Sequence, residues 1–98
     1  MKAKDLRFEQ TSYCSPEQYD VYAEDIPCNI GYVRLRHGGL RAEYCGKVIY
    51  TNSYSSNEAD GRFFSEKLRK SELKKIAKKI AKAYNEDHSE ETFYESED

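Results

Sequence analysis

Ninety-eight residues with 38% apolar and 35% charged side chains are enough for one globular domain with a thin core, because two cores of half that size could not stand alone. No apolar run is long enough to cross a bilayer. Three widely spaced cysteines and no secretory leader after Met1 argue for free thiols in a reducing cytoplasm and against a disulfide framework. The net charge of −2 hides an asymmetry: residues 86–98 hold seven acids and no Lys or Arg, which leaves residues 1–85 at +5.

Taken in chain order, Leu6 to Tyr13 reads as a strand that stops at the Ser15-Pro16 turn. Tyr19 to Ala23 alternates again, with Tyr19, Val21 and Ala23 on one face. Pro27 marks Asp25 to Asn29 as a loop. Ile30 to His37 and Leu40 to Tyr44 flank Gly38-Gly39, which predicts a hairpin pairing Leu35 with Ala42 and Arg36 with Arg41. A second tight turn at Cys45-Gly46 pairs Tyr44 with Lys47 and Ala42 with Ile49. The two registers agree in placing Val33, Leu35, Leu40, Ala42, Tyr44 and Ile49 on one side, and a one-residue slip would scatter that set.

Thr51 to Gly61 is polar and turn-rich and reads as a mobile loop. A helix follows, with Ser71 as N-cap and Leu73, Ile76, Ala77, Ile80 and Tyr84 at helical spacing to about Asn85. Phe63, Phe64 and Leu68 lie out of phase, which suggests a preceding turn capped by Ser65 or a bent start to one longer helix. The expected fold class is α+β: an antiparallel meander of four to five strands packed in two layers on a C-terminal helix, order β-β-β-β-β-α. One domain spans residues 1–85, and residues 86–98 read as a disordered acidic tail.

Two surfaces stand out. The helix presents Lys74, Lys75, Lys78, Lys79 and Lys82, preceded by Lys67, Arg69 and Lys70. Such a run is either a solvated face balanced by the acidic tail or a contact for phosphate backbones. The outer face of the sheet should carry Tyr32, Arg34, Arg36, Arg41, Glu43, Val48 and Tyr50. There Arg36 opposite Arg41 would be an unfavourable pair unless neutralised. Asp20 and Glu24 beside the arginines, and Glu43 facing Arg34, offer that neutralisation. Arginine among tyrosines also suits a protein interface or a nucleic-acid platform.

No catalytic or cofactor motif emerges. Cys14, Cys28, Cys45 and His37 lack the close pairs of a zinc site. Cys45 and His37 sit at opposite ends of one strand, about 17 Å apart. Gly38-Gly39 lacks the spacing of a nucleotide loop, and Lys67 stands where the calcium loop that Asp60-Gly61 partly resembles needs glutamate.

The strings Pro16-Glu17-Gln18-Tyr19-Asp20-Val21-Tyr22 and Gly31-Tyr32-Val33-Arg34-Leu35-Arg36-His37-Gly38, followed by Ile49-Tyr50, resemble a pattern of small bacterial and phage-type proteins over residues 6–85. The resemblance implies a compact prokaryotic-type domain and carries no activity, cofactor or site residue. The leading expectation is therefore a small non-catalytic protein-binding or accessory protein with no cofactor, metal or membrane partner. The alternative is a nucleic-acid-binding module using the basic helix and the Arg/Tyr sheet face. Uncovered edge strands leave the oligomeric state open.

Overall fold

The computed structural model describes residues 1–12 and 16–97, with side chains as far as His88. A 3-10 turn at Ala3–Asp5 leads into five strands, β1 (Leu6–Ser12), β2 (Glu17–Ala23), β3 (Asn29–Arg36), β4 (Gly39–Tyr44) and β5 (Lys47–Ser53), and one helix, α1 (Glu66–Glu97). The strands form a single antiparallel sheet in the order β1-β2-β3-β4-β5. Strict alternation of buried and half-buried residues along β2 is the period-2 pattern of a strand with one face on a core. That core lies between the sheet and α1, where Ile76 and Ile80 are fully enclosed among Val21, Val33, Leu35, Leu40 and Ala42.

The β3–β4 turn is built on His37-Gly38, one residue earlier than Gly38-Gly39. Both His37 and Gly38 adopt positive φ, 51° and 75°, as a primed two-residue hairpin requires. A Cβ on Gly38 would also lie 2.9 Å from the Tyr54 carbonyl oxygen, so glycine belongs at the second turn position. The new centre makes Leu35 face Leu40, Val33 face Ala42 and Arg34 face Arg41. Side-chain parity is unchanged, so Val33, Leu35, Leu40, Ala42 and Tyr44 are buried as expected, while every cross-strand partner differs.

Two bulges alter the pattern further. Tyr44 pairs with Lys47 and Glu43 with Val48, but Ala42 pairs with Tyr50, so Ile49 is an extra residue on β5. A bulge places consecutive side chains on the same side, and both Ile49 and Tyr50 pack against the core. Ile30 plays the same part on β3, between the Val21–Gly31 and Tyr22–Asn29 pairs, and is buried rather than outward-facing.

Residues 54–65 form a packed plug instead of a mobile loop. Ala59 and Phe63 are buried and bridge one another, and Tyr54 meets Phe63 edge-on at 5.5 Å. Main-chain bonds from Tyr54 N to Gly38 O (2.9 Å), Gly38 N to Asp60 O (2.6 Å) and Glu17 N to Gly61 O (2.6 Å) stitch the plug to the β3–β4 turn and to β2. The helix then starts at Glu66: Ser65 Oγ accepts the Leu68 N–H at 3.3 Å, and Ser71 is an exposed mid-helix residue. α1 also runs past Asn85 to Glu97, taking in most of the segment read as a tail. That segment is rich in glutamate and has no Gly or Pro, so its propensity allows continuation.

Candidate interaction surfaces

One face of the sheet is covered by α1, and among the described residues the other carries no layer. On the open face, Tyr32 pairs with Asp20 of β2 and Glu43 of β4, and Arg34 with Gln18 and Arg41. Arg36 faces Gly39, so the like-charge pair is Arg34 with Arg41. Glu43 serves Arg41 along its own strand, Nε to Oε2 at 3.1 Å. Glu24 lies beyond the far end of β2, bonded through its N–H to Asp5, and cannot reach the arginines. Half-buried Arg34 and exposed Arg36 have no ion-pair partner among the described residues. Nearer β1, Arg7 pairs with Glu9 at 2.9 Å and lies 5.1 Å above the Tyr22 ring.

Tyr50 does not belong to this face. The bulge at Ile49 turns it toward α1, where its hydroxyl donates to Glu72 Oε2 at 2.8 Å. Of the lysines expected to form one surface, Lys75 donates to Glu72 Oε1 at 3.2 Å and Lys79 lies 5.6 Å from the Tyr50 ring centre. Lys74, Lys78 and Lys82 follow one another at four-residue spacing on the exposed side of α1, with Lys67 and Lys70 before them. This row faces away from the sheet. The arginine face and the lysine row therefore occupy opposite sides of a two-layer molecule, and no single flat or grooved surface includes both. Because α1 continues unbroken, Glu97 lies roughly 20 Å along the axis from Lys82. Glu86 follows Lys82 by one helical turn, and beyond it the helix runs on along its axis instead of folding back over the lysine row.

Two buried carboxylates organise the helix–sheet contact. Glu17 is 2% exposed and receives Arg69 Nε at 2.8 Å, Arg69 Nη2 at 3.0 Å and the Phe63 N–H at 3.1 Å, together with the Tyr19 hydroxyl. Burial alone would raise its pKa, but the donors from Arg69, Tyr19 and Phe63 outweigh burial and hold it below the usual value. Tyr19 is pushed up by burial and by donating to that carboxylate. Glu72, also 2% exposed, is likewise held low: burial is outweighed by hydrogen bonds from Tyr54, Tyr50, Lys75 and Asn52. Carboxylates with this many donors brace β2, β5 and the plug against α1, and they are ill suited to proton transfer.

Cys28 and Cys45 are exposed free thiols, and Cys14 lies outside the described residues. Among the described residues no three His, Cys, Asp or Glu side chains are grouped to hold a metal, and no helix is long and apolar enough to cross a membrane. Set against models of known protein families, curated proteins and solved structures, the chain matches none.

Proposed function

We propose that the chain is a small, non-catalytic protein-binding or accessory domain of the bacterial cytoplasm that acts through the open face of its sheet. The observation behind this reading is the apposition of Arg34 and Arg41 beside Tyr32 on an uncovered face. Like charges directly opposite across a ladder are destabilising; Glu43 serves Arg41, and a partner supplying an acid to Arg34 would relieve the pair. The half-buried Tyr32 ring offers the kind of contact that dominates protein interfaces. Affinity capture with the intact protein is the test. A partner recovered by the wild type should be lost with Arg34→Glu and with Tyr32→Ala, and retained with Lys74→Glu. Recovery indifferent to the first two changes clears the open face of this role.

The lysine row supports a second reading, nucleic-acid binding by α1 alone. Clustered cations on one helix side suffice for contact with phosphates. Removal of residues 86–98 should then tighten binding to DNA or RNA, and affinity should fall steeply with added salt. No binding by the truncated chain at low salt rules that reading out.

A further inference from the structure

The two outer edges of the sheet differ in kind. β5 is blunted by the Ile49 bulge and by Lys47 at its start, two devices that discourage edge pairing. β1 runs in unbroken register against β2 from Leu6 to Gln10. The Asp5 carbonyl accepts the Glu24 N–H at 3.1 Å, which makes those residues a hydrogen-bonded pair. By the alternation of an antiparallel ladder, Arg7 and Glu9 direct their main-chain groups to β2, while Leu6, Phe8 and Gln10 direct theirs outward. The Leu6 N–H is already used by the Ala3 carbonyl. The Leu6 carbonyl and both main-chain groups of Phe8 and Gln10 face no strand among the described residues.

The geometry points to β1 as the site where a second copy of this chain adds antiparallel, with the two-fold axis at Phe8. In that arrangement Phe8 exchanges both main-chain bonds with the partner's Phe8. The Gln10 N–H donates to the partner's Leu6 carbonyl. Arg7 faces the partner's Glu9 at the non-hydrogen-bonded position, where opposing side chains come closest. Arg7 and Glu9 are 66% and 56% exposed in the single chain and flank the axis symmetrically, so the strand is complementary in charge to an inverted copy of itself. An isologous interface demands this property. Leu6 and Phe8 are half-buried on the α1 side, and α1 packs chiefly on β4, β5 and the N-terminal turn. The two Phe8 rings would cover each other there. The pairing joins two sheets into one of ten strands. It does not depend on the binding role proposed above, because the open face remains exposed.

Sedimentation equilibrium of the full chain tests this. A strand-only contact is small, so association is expected across about 10 µM to 1 mM and not below. Arg7→Glu and Glu9→Arg each turn two attractive cross-strand pairs into repulsive ones and should each weaken association about tenfold or more. The exchange Arg7→Glu/Glu9→Arg restores both pairs and should restore the dimer. Mixing the two single variants should form a heterodimer, since the acid introduced at position 7 then faces the arginine introduced at position 9. A loss of folding cannot imitate that rescue. Monomer mass throughout the range, or dimerisation indifferent to the single changes and to mixing, overturns the pairing.

Discussion

Glu17→Ala is expected to lower the unfolding free energy by about 3 kcal/mol or more, because it removes one partner of a buried ion pair. Arg69 loses a two-pronged acceptor, and the Phe63 N–H and Tyr19 hydroxyl lose theirs in the same step. A domain of this size has about 5–15 kcal/mol in total, and each kcal/mol moves its midpoint by roughly 4–8 °C. A fall of about 15 °C in the thermal midpoint is therefore expected. Arg69→Met should be similarly costly, because it strands a carboxylate that is 2% exposed. The two losses should not add, and Glu17→Ala/Arg69→Met should fall little further than the worse single variant. Urea unfolding of the three variants measures this, and additive losses would show that the two side chains act separately.

The same carboxylates set the acid limit of stability. Glu17 and Glu72 are both held below their ordinary value of 4.5 in the folded chain. A depressed carboxylate contributes its full stabilisation above the unfolded-state value and loses it as pH falls through the folded one. Stability should therefore be level above about pH 5 and decline as the medium becomes more acid. Glu17→Gln, which has no charge to titrate, should flatten part of that decline. An acid limb identical to that of the wild type would assign it to other groups.

Both acids stand in phase with core positions of the chain. Glu17 has the parity of Tyr19, Val21 and Ala23, and Glu72 lies four and eight residues before Ile76 and Ile80. An acid in phase with a core stripe calls for buried donors, and Arg69 and the tyrosines supply them. The sheet was legible for a related reason: two turns of opposite hairpins fixed one parity, and parity survives a shift of the turn centre by one residue. The bulges at Ile30 and Ile49 were not legible, because isoleucine suits a regular strand position as well as a bulged one. That hidden step moved Tyr50 from the open face to the α1 side. The packing of residues 54–65 was hidden too, since its polar composition says nothing of main-chain bonds to Gly38 and Glu17.

Ile80→Ala is expected to cost about 2–5 kcal/mol, as for other fully enclosed aliphatic residues. The upper half of that range is the expectation here, because the site has little room to collapse. Ile80 packs directly on Gly31, where a Cβ would stand 3.0 Å from Ile80 Cδ1 and 3.1 Å from Val21 Cβ. The glycine already allows α1 its closest approach to β3, so the helix cannot settle further to fill the gap. Gly31→Ala tests the same contact from below and should cost about 1–3 kcal/mol by overpacking. Its worst clash is with the Glu43 carbonyl oxygen at 2.9 Å, a main-chain atom of β4 that the ladder holds in place. Shortening Ile80 relieves its own contact and leaves this one, together with that to Val21 Cβ. Gly31→Ala/Ile80→Val should therefore remain less stable than Ile80→Val alone. Equal stability of the two would show that Ile80, and not the β4 main chain, is what requires glycine at position 31.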